Sequence, residues 1–143
     1  MLGVGAAAPD DLKAYATSKP ALFMLFKISC PVCQLAAPYV QRLSASGKIA
    51  VIGISQDDEE GTEEFREAFG MTFPTLLDDP DRDYPLSNAL GITHVPSMFL
   101  VEPDGRISMA VAGFSKGDIE AVGRLAEVPP FREGEKVPEW KPG

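Results

Sequence analysis

An apolar run of strand length, Ala21 to Phe26, leads shortly to a pair of cysteines, Cys30 and Cys33. A continuous apolar run of this length is typical of a strand whose two faces are both covered. Pro31 stands where a helix would begin, a position at which its missing N–H costs nothing, and apolar residues then recur at helical spacing over residues 35–47. The pattern predicts a central strand, a loop carrying the first cysteine, and a helix.

Further strands and helices alternate along the chain. The predicted elements are a short helix capped by Asp10 or Asp11 and running to about Thr17, a strand over 49–55, a helix over 62–69, a short extended piece over 75–77, a brief helix over 86–90, strands over 97–101 and 106–114, and a last helix over 116–126. Ser115, with Asp118 three residues later, is predicted to cap the last helix. Strand, helix, strand, helix in this order is typical of parallel crossover units, and Glu102 to Gly105 forms a hairpin turn. The chain is therefore expected to be of the α/β class.

The length of 143 residues fits one domain, which we assign to residues 1–127. Residues 128–143 form a tail that holds four prolines. We expect the tail to be extended or disordered unless Phe131 and Trp140 dock. The acidic residues 57–60 are expected to form a solvated start to the second long helix, where negative charge is favoured.

The spacing of the two cysteines places Cys30 at a helix N-terminus and Cys33 one turn further in, so the two sulfurs can bond without backbone movement. Free N–H groups and the positive end of the helix dipole favour thiolate at Cys30. Cys30 is therefore predicted to have a lowered pKa and to act as nucleophile, and Cys33 to resolve the mixed disulfide. The same spacing also occurs in half-zinc sites and by chance, but the strand and helix around it favour the redox interpretation.

The cysteine pair is one of an ordered set of motifs. The others are Pro38, the segments VIGIS (51–55), FPTLLD (73–78), LGI (90–92), VPSMFLV (95–101) and DG (104–105), and Gly113. Over residues 19–126 this set resembles the thioredoxin superfamily, in particular its TlpA/ResA-like thiol–disulfide oxidoreductases, which also match AhpC/TSA-type domains. The resemblance implies a thioredoxin-like fold, with a central mixed β-sheet flanked by helices in three α/β/α layers.

The resemblance also implies a role for the loop before residue 97. In the family, the proline corresponding to Pro96 has a cis peptide bond and faces the cysteines. The backbone of Val95 would then pair with an extended substrate, with Pro31 and Val32 forming the other side of the groove.

Three positions depart from the family pattern. Met24 stands where thioredoxins have a buried Asp, Ala36 where many TlpA/ResA-like members have a Glu, and Ser29 where an aromatic residue usually precedes the first cysteine. Both familiar acids for moving the proton of the resolving thiol are therefore replaced. Lys27 and His94 are the candidates to tune the pKa of Cys30 or to move the proton, although an exposed loop position is the simpler interpretation of His94.

Composition excludes several classes of site and partner. With 13 Lys plus Arg against 21 Asp plus Glu, the net charge is −8, which disfavours binding to a nucleic-acid backbone. Two cysteines and one histidine are too few for a disulfide scaffold or an ordinary zinc set, so no metal is expected. No stretch approaches the roughly 18 apolar residues that span a bilayer.

The leading hypothesis is a thiol–disulfide oxidoreductase that acts on protein disulfides or dithiols. It would need no cofactor beyond the cysteine pair, would exchange electrons with a partner protein or small thiol, and is expected to be a monomer. A peroxiredoxin-like thiol peroxidase is an alternative, but its Pro-x-x-x-Thr-x-x-Cys motif fails because Cys30 and Phe26 occupy the Thr and Pro places before Cys33. A second alternative is a non-catalytic module that binds partners through the tail.

The compartment depends on where the chain begins. Residues 1–9 lack the cationic start and long apolar centre of a secretory signal. The chain is cytoplasmic if Met1 is its native start, and periplasmic or otherwise extracytoplasmic if an export signal has been removed.

Overall fold

The apolar run predicted as the central strand is the middle strand of a five-stranded sheet in the computed structural model, which describes residues 1–143. The strands are β1 (Ala21–Phe26), β2 (Ala50–Ser55), β3 (Thr75–Leu77), β4 (Ser97–Val101), β5 (Ile107–Ala112), β6 (Phe114–Ser115) and β7 (Trp140–Lys141). The α-helices are α1 (Asp10–Lys13), α2 (Pro31–Leu43), α3 (Glu59–Phe69), α4 (Pro85–Leu90) and α5 (Lys116–Ala126). The order in the sheet is β3-β2-β1-β4-β5; β1, β2 and β3 run parallel, and β4 and β5 are antiparallel to their neighbours.

Alternate residues of β1 enter two different cores. Leu22, Met24 and Phe26 belong to a cluster with buried residues of α2, α3 and α5 on one face of the sheet. Ala21, Phe23 and Leu25 belong to a second cluster with residues of α1 and α4 on the other face. All six residues are buried, which explains why the run is continuously apolar. The α/β class and the three-layer, mixed-sheet architecture are thus confirmed.

Two helix starts differ from the expectation. The start of α3 at Thr62, predicted from its apolar spacing, is wrong, because the Asp58 side chain accepts a hydrogen bond from Gly61 N–H at 2.8 Å and caps a helix that begins at Glu59. The prediction that the acidic residues 57–60 lie at the start of this helix is confirmed. The predicted cap of α1 by Asp10 or Asp11 is also wrong. Pro9 occupies the cap position without a side-chain bond, and the helix ends at Lys13 before a 3₁₀ turn over Ala14–Ala16.

The single strand predicted over residues 106–114 is interrupted. Gly113, at φ +86°, separates β5 from β6, so that β6 leaves the main sheet and pairs with β7 instead. Ser115 then caps α5, its Oγ accepting a hydrogen bond from Asp118 N–H at 3.3 Å as predicted.

The proline-rich tail is docked on the domain. Phe131 packs edge-on against Tyr39 of α2, with ring centroids 4.9 Å apart, and also contacts Phe114. Trp140 is held through its backbone, in β7, while its ring remains 57% exposed. Of the two residues considered for docking, Phe131 therefore docks by its side chain and Trp140 by its main chain.

None of the helices is both long and apolar enough to cross a membrane.

Candidate active site

Cys30 is the N-cap residue of α2 and is half-buried. Its Sγ accepts a hydrogen bond from Cys33 N–H at 3.2 Å. Pro31 follows at the first helical position, as predicted. The Cys30 sulfur thus lies at the positive end of the helix dipole, the placement that the sequence predicts for the nucleophile.

Cys33 lies one turn into α2 and has no exposed surface. Both cysteines are free thiols. Burial is the main cause that raises the pKa of the Cys33 thiol well above its ordinary value, and the hydrogen bond with Cys30 adds to it. Met24 and Ala36, which replace the acids of related proteins, are fully buried in the same apolar cluster as Cys33. Because burial disfavours the thiolate, Cys33 keeps its proton at neutral pH.

The loop before β4 faces Cys30. The Val95–Pro96 peptide bond is cis, as the resemblance implies, and Cys30 Sγ lies 3.4 Å from the Val95 carbonyl oxygen. The Val95 N–H donates to no group of the chain, whereas the buried Pro96 accepts a hydrogen bond at its carbonyl from Gly113 N–H at 2.8 Å. The residue that contacts the reactive sulfur therefore also carries an unpaired backbone donor.

Two side chains that sequence reasoning missed hold the loop before Cys30. Asp57 Oδ2 accepts from Ile28 N–H at 2.8 Å, and Gln34 donates from Nε2 to the Ile28 carbonyl at 3.1 Å. Asp57 follows β2 directly, and β2 runs parallel to β1, so the carboxyl ends of the two strands share one edge of the sheet. The predicted pairing of the two strands could therefore have indicated that Asp57 lies near the cysteine loop. The two aspartates of the acidic run have different roles: Asp58 caps α3, and Asp57 binds the loop before Cys30.

The two candidate tuning residues lie on the same side of the site. Lys27 and His94 are exposed, and both line a polar depression of about 280 Å³ that reaches Val95. His94 Nδ1 lies 2.8 Å from Thr93 Oγ1. The Lys27 carbonyl accepts a hydrogen bond from Cys30 N–H at 3.3 Å, but neither the Lys27 nor the His94 side chain forms a hydrogen bond with Cys30. Their influence on Cys30 stays a prediction.

The remaining groove residues flank Cys30. On the helix side, Pro31 is exposed and Val32 is half-buried; on the loop side lie Val95 and Pro96. The Cys30 sulfur therefore lies between the first turn of α2 and the loop before β4. Whether these residues bind a substrate stays a prediction.

Comparisons with known proteins agree with this geometry. The model of the AhpC/TSA family matches residues 6–110. The thiol–disulfide oxidoreductase ResA of Geobacillus kaustophilus is 27% identical over 134 residues, an alignment covering 83% of this chain and 75% of that protein. A Mycobacterium tuberculosis protein provisionally named as a peroxiredoxin is 36% identical over 88 residues, which cover 54% of this chain and about half, 52%, of that protein's length.

Solved structures give the same fold. The structure of M. tuberculosis DsbF, in mixed oxidised and reduced forms, superposes with a TM-score of 0.67 at 27% identity, covering 80% of this chain and 84% of that chain.

Proposed function

Because the chain belongs to the AhpC/TSA family and is a thioredoxin-like oxidoreductase, we propose that it exchanges disulfides with protein substrates through Cys30 and Cys33. One observation carries the proposal. Cys30 Sγ sits at the N-terminus of α2, 3.2 Å from the Cys33 N–H and 3.4 Å from the Val95 carbonyl oxygen, with a free donor on Val95. This arrangement joins a half-buried sulfur at a helix N-terminus to a strand-like recognition edge.

The proposed reduction has two balanced steps. The Cys30 thiolate attacks one sulfur of a substrate disulfide, which forms a mixed disulfide and releases the other sulfur as a thiolate that takes a proton from water. Cys33 then gives its proton to solvent or to the departing substrate sulfur and attacks Cys30 Sγ, which forms the Cys30–Cys33 disulfide and breaks the bond between Cys30 and the second substrate sulfur. Two electrons pass to the substrate, and the reverse sequence oxidises a substrate dithiol.

The cycle needs an external dithiol or disulfide. The chain has two cysteines in all, so no third one can restore the pair. The two sulfurs carry both electrons, and the proposed cycle uses no other cofactor. Proteins with this cysteine spacing have reduction potentials from roughly −270 to −120 mV, so the measured potential of the pair decides the direction of flow.

The test is reduction of insulin disulfides by dithiothreitol, with and without the protein. We expect Cys30→Ser to abolish the acceleration, and Ser29→Ala, an exposed neighbour, to retain it. Cys33→Ser should accumulate a mixed disulfide at Cys30, visible by mass spectrometry. Acceleration by Cys30→Ser equal to that of the natural sequence would exclude the proposal.

A peroxidase is the second candidate, because one relative is named for that activity. Here Cys30 thiolate would take an oxygen atom from hydrogen peroxide to give a sulfenic acid and hydroxide, and Cys33 would condense with it to a disulfide and water. The peroxiredoxin motif is not met before Cys33. Peroxide consumption at the rate of a free thiol would exclude this candidate, and a far higher rate would favour it over disulfide exchange.

A further inference from the structure

The end of the tail lies on the recognition edge of the candidate site. A methyl group added to Gly143 would overlap the Val95 carbonyl oxygen and would lie 3.1 Å from His94 Cβ. Two residues earlier in the tail, the Lys141 carbonyl packs against Gly113, where any side chain would collide with it. Gly113 is the residue whose N–H holds Pro96. The tail thus crosses both residues that shape the loop facing Cys30.

The tail is held firmly up to this point. Arg42 binds both carboxylate oxygens of Glu135, at 2.6 and 2.9 Å, and donates to the Pro130 carbonyl at 2.9 Å. Closer to the site, β7 pairs with β6, and Lys116 N–H donates to the Glu139 carbonyl at 3.0 Å. These contacts fix where the last residues of the tail can reach.

The last two residues are held only weakly. Neither Pro142 nor Gly143 forms a hydrogen bond with the rest of the chain. Gly143 therefore lies against the Val95 carbonyl without being bonded to it. A segment anchored upstream but loosely seated over Val95 can be displaced without unfolding the tail.

We propose that residues 141–143 occupy part of the groove that an extended protein substrate needs, and so act as an internal competitor that restricts which disulfides reach Cys30. The inference rests on the proposed function, because it assumes that substrates pair with Val95. A small disulfide requires only access to the sulfur and escapes the competition. A disulfide within an extended chain must displace Gly143 from Val95 before it can pair there.

The decisive variant is Gly143→Ala, whose methyl group cannot coexist with the seated tail. Gly117→Ala is the matched control, because a methyl group there meets no atom within 4 Å. A second variant lacks residues 142–143 and keeps β7. Each is assayed, beside the natural sequence, with insulin as the protein disulfide and with hydroxyethyl disulfide as the small one.

We expect Gly143→Ala and the truncated chain to raise kcat/KM for insulin by about fivefold, since the apparent affinity scales with the open fraction of the groove. Rates with hydroxyethyl disulfide, and both rates in Gly117→Ala, should stay unchanged. Equal rates on insulin in all variants would overturn the inference while leaving disulfide exchange intact. An equal rise in the rates with insulin and with hydroxyethyl disulfide would also overturn it, because it would mean that the variants change the reactivity of the thiol and not access to the groove. If the natural chain reduces neither disulfide, the proposed function fails first, and this inference with it.

Discussion

At the scale of single residues, the two cysteines of one motif differ because they meet different surroundings. Cys30 lies at the surface end of α2 with a donor at 3.2 Å, whereas Cys33 is closed inside an apolar cluster. Desolvation disfavours a buried thiolate and raises the pKa of Cys33. No acidic side chain contributes to this pKa, so none is in place to accept the Cys33 proton. The replacement of two family acids by Met24 and Ala36 therefore has a chemical consequence. The resolving step must wait for solvent or the departing group to take the proton.

This difference predicts the pH dependence of the resolving step. Only the thiolate attacks, and the raised pKa of Cys33 keeps the thiol protonated across the usual working range. We expect release of thionitrobenzoate from a preformed mixed disulfide at Cys30 to quicken about tenfold per pH unit between pH 7 and 9, because the thiolate fraction grows tenfold per unit below the pKa. Stopped-flow absorbance measures it.

Cys33→Ser is the control for that experiment and should release no thionitrobenzoate. A rate that levels off near pH 9 or below would contradict the expectation, since it would mean that Cys33 ionises at or below its ordinary value of 9.0 despite its burial.

At the scale of elements, side chains that accept hydrogen bonds from free N–H groups decide where helices begin. Asp58 Oδ1 accepts from Gly61 N–H at 2.8 Å, and α3 begins three residues earlier than its apolar periodicity indicates. Such a cap stabilises the helix more than the helix propensity of the added residues does, because it pairs backbone N–H groups of the first turn that have no acceptor within the helix.

Asp58→Ala should therefore lower the free energy of unfolding by about 1 kcal/mol, the usual contribution of an N-cap. Asp58→Asn, which keeps an acceptor oxygen, should cost only a small part of that. Urea unfolding followed by circular dichroism gives both values. An unchanged midpoint in Asp58→Ala would show that α3 is held by the packing of Phe65 alone.

The elements also show what local sequence can and cannot predict. The central strand, the cysteine helix with Pro31 at its start, and the Ser115 cap each follow from a few adjacent residues, and all three are present. The Asp57–Ile28 bond needs the pairing of β2 with β1 before it becomes visible. The break at Gly113 depends on the tail, which returns to pair with β6. Contacts between distant parts of the chain leave no periodicity in either part.

At the scale of the whole molecule, the tail connects the far end of the cysteine helix to the loop that faces the cysteines. Arg42 lies in the last turn of α2, and its guanidinium also lies 5.2 Å from the Tyr39 ring centroid, beside the docked Phe131. From this anchor the tail runs to β7 and then to Val95. Docking of the tail and access to Cys30 are therefore parts of one arrangement.

The Arg42–Glu135 pair predicts how this docking responds to acid. The hydrogen bond from Arg42 is the main cause that lowers the pKa of Glu135 to about 2. Because this folded-state pKa lies below the ordinary value of 4.5, the stabilisation is fully present above pH 4.5 and is lost as the pH falls through about 2. We expect Glu135→Gln to melt at a lower temperature than the natural chain at pH 7, and the difference to shrink steadily below pH 4.5.

Glu133→Gln is the matched control, since Glu133 is exposed in the same stretch of tail and forms no ion pair within 4.0 Å. It should leave the melting temperature unchanged at pH 7. Limited trypsin digestion at Arg132 and Lys136 adds a direct measure of docking: cleavage should be faster in Glu135→Gln at pH 7 than in Glu133→Gln. Equal cleavage in the two variants would mean that Phe131 and β7 hold the tail without the ion pair, so that acid would leave access to Val95 unaltered.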